Sequence, residues 1–345
     1  MQQENMNLIG KLQPVILIFA ALLGLALGVL TPFGMISLSL IEPFLMLLLY
    51  VLFLTVDISK LRNSLTNRRY TWTAVFLNFA VTPILAYWLG LVFLGDSVDI
   101  RVGLLMLLVT PCTDWYLVFT GLGKGNVELN LSILPLNLVL QIVLFPVYLL
   151  AFMHSEITMN IVQLLLSICY VLLIPFVAAA LTKMIPAYKK HLSHLLEKQC
   201  DNLQLFFLCA AVISMFASEG QNLMDNPMLL AKMFAPLICF FIIIFFTAQG
   251  IGRLEHFSRE DIVALNFTTL ARNSPLSLAI AAATFPDRPL ILLALVIGSL
   301  IELPVLSITA AILVRCRHSE DGRIVACGTP EEIKKSEKSV TGRYL

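Results

Sequence analysis

Leu107-Leu-Val-Thr-Pro-Cys-Thr-Asp-Trp115 is an apolar run interrupted at its centre by a proline, a cysteine and an aspartate. Pro111 removes a backbone donor and clashes with the turn before it. Asp114 near the middle of a bilayer costs at least a few kcal/mol unless it faces a partner or water. A helix that only faces lipid needs neither residue. Broken, polar helix centres are how secondary transporters assemble a site at the membrane midplane. The stretch therefore predicts an all-α membrane protein built around an interrupted helix.

The rest of the chain agrees with that class. Its 345 residues are 59% hydrophobic and 13% charged, with a mean hydropathy of +0.88, which excludes an ordinary soluble enzyme. Apolar runs recur at roughly the 20 residues needed to cross the hydrocarbon core. They predict ten spans, at about 12–30, 36–56, 72–94, 102–122, 128–152, 161–183, 203–218, 229–250, 261–284 and 289–314. A net charge of +1 offers nothing to a nucleic acid. The seven cysteines form no Cys-x-x-Cys pair and lie mostly in apolar runs, so neither disulfides nor a bound cofactor is expected. Residues 1–11 read as a polar cytoplasmic segment without a cleavable signal.

Lysine and arginine collect in alternate loops: Lys60, Arg62, Arg68 and Arg69; Lys183, Lys189, Lys190 and Lys198; Arg253 and Arg259. Arg101 and Arg288 are the main exceptions. The positive-inside rule then predicts a multi-pass protein of the cell membrane with both termini cytoplasmic. Ten spans divide into two fives, 12–152 and 161–314, and an odd number sends the second five through the bilayer in the opposite sense. Inverted repeats are expected, with spans 4 and 9 as the broken, crossing pair. Val109-Thr-Pro-Cys-Thr-Asp-Trp-Tyr-Leu matches Thr269-Leu-Ala-Arg-Asn-Ser-Pro-Leu-Ser about 160 positions on, and Leu144-Phe-Pro-Val147 matches Glu302-Leu-Pro-Val305. From residue 315 the composition turns polar, predicting a cytoplasmic tail over 315–345.

Each polar residue within a span has a structural reading beside a functional one. Cys112 is either a small buried hydrophobe or a soft ligand for a centre such as trivalent arsenic or antimony. Thr113 and Asp114 lie in the same break. Asp114 and Arg272 are either an ion pair joining two broken helices or direct substrate contacts. Asn273 and Ser274, ahead of Pro275, either cap the second half of span 9 or aim its positive dipole end at an anion or a polar hydroxide. Glu302, far from either end of the last span, is either a packing carboxyl or a group that loads and releases a proton. Lys124, in Gly121-Leu-Gly-Lys-Gly-Asn126, reads as a turn with an interfacial charge, since no serine or threonine follows as in a phosphate loop. Asp57 reads as a helix-end charge in water.

Thr110-Pro-Cys-Thr113, the Lys124-Gly-Asn loop, Asn273 followed by Leu278-Ala-Ile-Ala281, and Glu302-Leu-Pro-Val305 together resemble the arsenical-resistance permeases of the bile acid/arsenite/riboflavin transporter superfamily. The resemblance runs to about residue 314. It implies ten helices in two inverted repeats and arsenite efflux driven by proton entry, with Cys112 and Glu302 at the functional positions. Two departures stand out. Asp114 and Trp115 follow the cysteine, and Arg272 stands where relatives carry an amide. In the bile-acid branch such amides hold sodium, and an arginine there would repel a cation, so protons rather than sodium are expected to couple. The alternatives are a sodium-coupled symporter of an organic anion, with Arg272 meeting the anion, and a membrane receptor signalling through its tail. The expected partners are a small inorganic or organic anion or hydroxide and the bilayer, with no nucleic acid. The tail, from Asp321-Gly-Arg-Ile-Val-Ala-Cys-Gly-Thr-Pro-Glu-Glu-Ile333 to Thr341-Gly-Arg-Tyr-Leu345, is similar to the extreme C-terminus of the excinuclease ABC ATPase of excision repair, without any of its catalytic parts. The tail's partner is left open.

Overall fold

The computed structural model describes residues 2–55, 67–113, 115–153, 161–185, 193–225 and 228–320. Asp114, the loop residues Asp57, Lys60, Arg62, Lys189 and Lys190, and the tail from Asp321 onward lie outside the described residues. Everything described is helical or a short connection, apart from a single backbone bridge between Pro111 and Arg272. Two long helices, α1 (Gln2–Leu30) and α2 (Phe33–Thr55), open the chain, with apolar stretches at Ile18–Leu30 and Ser39–Val51. The third apolar run is one continuous rod with a π-turn in its middle: α3 (Arg68–Phe76), Leu77–Val81, then α4 (Thr82–Phe93). Asn67 starts it by accepting the Tyr70 N–H on its side chain. The exposed Trp72 and Trp88 stand near its two ends, about 24 Å apart at 1.5 Å per residue, as interfacial aromatics do.

The stretch around Pro111 ends one helix, α5 (Val98–Leu108), before another begins, α6 (Trp115–Leu122). A second break separates α11 (Arg259–Leu270) from α12 (Ser274–Thr284). Pro275 occupies the first turn of α12, where proline's missing donor costs nothing, so the gap is Ala271 to Asn273 immediately before it. Elsewhere helices run through their prolines: α7 (Val127–Met153) through Pro135 and Pro146, and α13 (Pro289–Glu320) through Pro304. Proline alone does not open a helix here; the difference lies in what neighbouring elements supply to the freed backbone. The remaining elements are α8 (Ile161–Met184), α9 (Ser193–Asp225) and α10 (Met228–Leu254). The seventh expected span, short at 203–218, is the middle of the 33-residue α9, whose polar ends extend the helix beyond the apolar run. Likewise α13 continues past residue 314 to Glu320.

Four described helical segments are long and apolar enough to cross a bilayer: Arg68–Phe93, Val127–Met153, Ala231–Leu254 and Pro289–Val314. The chain packs in two groups. In one, α1 and α2 lie on α9 and α8 flanks α2, with Gly24 and Gly28 letting α1 rest directly on the α9 backbone. A Cβ on Gly28 would overlap the Ala217 carbonyl oxygen, so this small-residue face requires glycine. The other group contains the two broken helices with α4, α7, α10 and α13, and α12 is the main contact between the groups. Of the two arginines out of pattern with the basic loops, Arg288 pairs with Asp99 at 2.8 Å and Arg101 is buried on α5.

Candidate functional site

Both breaks fall at the same place, and they repair each other. The backbone N–H of Cys112 donates to the Ala271 carbonyl at 3.0 Å, and that of Asn273 donates to the Thr110 carbonyl at 2.7 Å. Unwinding leaves these groups without helical partners, and in a bilayer each orphan would cost several kcal/mol. The two bonds are related by one offset, since 273 − 112 and 271 − 110 both equal 161. The internal match in the sequence has an offset of about 160, one residue away. Side chains reinforce the crossing. Thr110 and Ser277 share a hydroxyl hydrogen bond of 2.7 Å, and the Ser277 hydroxyl also donates to the Met106 carbonyl at 2.8 Å. Asn273 caps α12 by accepting the Leu276 N–H, while its amide donates to the Thr113 hydroxyl at 3.4 Å.

Arg272 is 1% exposed, and its guanidinium is spent on protein oxygens. It donates to the Leu108 carbonyl at 2.9 Å, to the Leu270 carbonyl at 3.3 Å, to the Asn78 side-chain oxygen at 3.0 Å and to the Thr269 carbonyl. Leu108 closes α5, and Thr269 and Leu270 close α11, so one cation satisfies the orphan carbonyls of two helix C-termini. The ring of Phe240 lies 5.4 Å from the guanidinium carbon on another side. Glu302, reaching in from α13, accepts the backbone N–H of Arg272 at 2.8 Å. A carboxyl, a thiol and a guanidinium thus gather at one crossing.

The crossing brings together Cys112, Thr113, Arg272, Asn273, Ser274 and Glu302, all of them buried. Pro111 lies in the backbone bridge and Pro275 just beyond it. Asn273 does what a capping residue does, and touches the other broken helix as well. Several participants are not singled out by the sequence. Asn78 faces Arg272 from the π-turn, and its amide also donates to the Thr268 carbonyl at 3.1 Å. An asparagine inside the apolar run of span 3 was the available signal, and π-turns gather at functional sites.

From the residue before α7 onward, a further polar seam runs up against α11. Asn126 binds Asp261 at 2.8 Å, Asn130 binds the Ala264 carbonyl at 3.0 Å, and Asn137 reaches the Thr268 hydroxyl at 3.3 Å. One turn further along α7, the wholly buried Gln141 has no hydrogen-bond partner for either amide atom among the described residues. Asn126 also receives the Lys124-Gly turn, in which Lys124 takes a left-handed φ of 56°. The backbone N–H of Asn126 donates to the Glu260 carbonyl, tying that turn to the start of α11.

A model of the sodium bile acid symporter family matches residues 42–226, more than half of the chain. Arsenical-resistance protein Acr3 of Corynebacterium glutamicum is 24% identical over 275 residues, 76% of this chain and 74% of the relative. Arsenical-resistance protein Acr3 of Alkaliphilus metalliredigens is 22% identical over 286 residues, 79% of this chain and 80% of the relative. The uncharacterized protein YbaS of Bacillus subtilis is 25% identical over 257 residues, 72% of this chain and 80% of the relative.

Proposed function

The chain belongs to the sodium bile acid symporter family, and from that membership we propose that it exports arsenite or antimonite by proton antiport. Membership makes it a multi-pass membrane transporter of small solutes rather than an enzyme. In the proposed cycle Cys112 is the soft ligand for the trivalent centre, a role that suits a polarisable sulfur. Thr113, Asp114, Asn273 and Ser274 supply hydrogen bonds to the oxygens of the hydroxide, and Arg272 holds the site together. Glu302 carries the proton. Its carboxylate touches the backbone of the crossing through Arg272, so a change in its charge is felt where the solute binds.

The observation that carries this reading is the buried thiol of Cys112, held in the unwound backbone by the Ala271 carbonyl, in a chain similar to two Acr3 proteins. We further propose ten spans in two inverted repeats, 12–152 and 161–314, with cytoplasmic termini and a cytoplasmic tail from 315. The exchange of the two backbone bonds under a shift of 161 residues supports the repeat. The amide of Gln141, without a partner among the described residues, supports a wetted flank on α7, since buried amides are otherwise satisfied. Transport in everted vesicles tests the substrate. Arsenite should accumulate with a pH gradient, and Cys112→Ser should abolish this while the protein remains in the membrane. Wild-type flux in that variant refutes the soft-ligand role, and sodium-dependent uptake of an organic anion would replace the reading altogether.

A further inference from the structure

Arg272 caps two helix ends in a setting that also has the make-up of a cation site. Its oxygens come from four places: the carbonyls of Leu108, Thr269 and Leu270, and the amide oxygen of Asn78. Three are the last carbonyls of two half-helices, α5 and α11, whose negative dipole ends converge on one point inside the membrane. Broken helices in transporters present such C-terminal carbonyls to a monovalent ion, and hard cations choose oxygen ligands of this kind. The Glu302 carboxylate, accepting from the Arg272 backbone N–H, adds a negative group to the same neighbourhood. The Arg272 side chain is almost completely buried, so its charge belongs to the interior.

We infer that Arg272 is a tethered cation that permanently fills a monovalent-cation site, and that this residue makes the carrier indifferent to sodium. A mobile ion at this point would arrive and leave with each cycle. A guanidinium fixed to the backbone neutralises the two helix ends throughout, which leaves changes of charge during a cycle to other groups, Glu302 among them. Removing the side chain beyond Cβ should then uncover an all-oxygen site of the right sign for an alkali ion. The inference rests on the chain being a transporter and not on which solute it carries.

The test uses the purified full-length protein in detergent, with sodium chloride compared against choline chloride at constant ionic strength. For the wild type, unfolding temperature should be the same in both salts, and radioactive sodium should show no saturable binding. Arg272→Ala should gain both: a rise of a few degrees specific to sodium, by linkage to binding, and saturable sodium uptake that Asn78→Ala removes again. Millimolar guanidinium should compete with that sodium. Saturable sodium binding to the wild type overturns the inference, as does a folded Arg272→Ala protein that takes up neither sodium nor guanidinium. Should Arg272→Ala not survive purification, Arg272→Lys decides: it keeps a tethered charge and should stay blind to sodium, and sodium binding by it overturns the proposal. Arsenite flux is a separate readout. Its absence from a sodium-blind protein would sink the substrate assignment and leave this inference standing.

Discussion

The backbone N–H of Arg272 donates to Glu302 at 2.8 Å, joining the break in one helix to the middle of another. An amide oxygen can accept the same bond, whereas a methyl group cannot. Glu302→Gln should therefore fold with a near-normal unfolding temperature and lose transport driven by a pH gradient. Glu302→Ala should also lose about 1–3 kcal/mol of stability, because a buried donor is left without an acceptor. Comparison of the two variants by thermal unfolding and vesicle flux separates the proton role from the structural one. Full pH-driven flux in Glu302→Gln would defeat the proton assignment.

Asn78 serves two partners from the π-turn, donating to Thr268 and accepting from Arg272. Asn78→Leu fills the same space with no polar atom, stranding a guanidinium donor. The expected loss is about 1–3 kcal/mol, read as a lower unfolding temperature. It should shrink markedly in an Arg272→Met background, since the stranded donor is then gone. Equal losses in both backgrounds would mean that the two side chains are not coupled.

Of the described glycines on α1, Gly28 leaves the least room for a side chain against α9. Gly28→Val would drive a side chain into the Ala217 backbone, which cannot turn aside as a side chain would. A destabilisation of about 1–3 kcal/mol or more is expected. Gly250 is the control: nothing lies within 4 Å of its would-be Cβ, and it sits inside α10. Gly250→Ala should be neutral or stabilising by roughly 0.5–1 kcal/mol. If the two substitutions behave alike in thermal unfolding, the close packing of α1 on α9 is not what requires glycine.

At the exposed end of α10, Lys232 pairs with Asp96 and holds its carboxyl below the ordinary value of 3.8. A depressed folded value means that the pair stabilises at pH above the ordinary carboxylate value. That contribution is lost as pH falls through the lowered one. Because both side chains of the pair are exposed, the effect should be small and should fade in high salt. Asp96→Asn should flatten the acid limb of the unfolding-temperature profile by that small amount. An unchanged profile at low ionic strength would show the pair to be idle.

Much of the architecture was legible because the bilayer permits few solutions. Apolar runs of spanning length can only be helices, and Pro111, Cys112 and Asp114 in mid-run can be tolerated only where a helix opens onto something polar. The same argument singled out Arg272, Asn273 and Glu302, which the fold brings to one crossing. It did not find Asn78, Thr110, Ser277 or Gln141, since a single asparagine, glutamine, serine or threonine in an apolar run has many harmless uses.

Hydrophobicity and punctuation along the chain were thus enough to determine helices, a membrane, and an interrupted pair among them. Which prolines open a helix was decided only by the fold: α7 and α13 run through theirs, while Thr110 and Cys112 find Ala271 and Asn273 waiting. The role of Arg272 was decided there too. In one dimension it is a charge beside an asparagine, and only the convergence of two helix ends, about 160 residues apart in the chain, turns it into their common cap. Composition reports what a segment must avoid, which is lipid against its polar atoms. Partners for those atoms come from distant segments, and the partners appear only when the chain is folded.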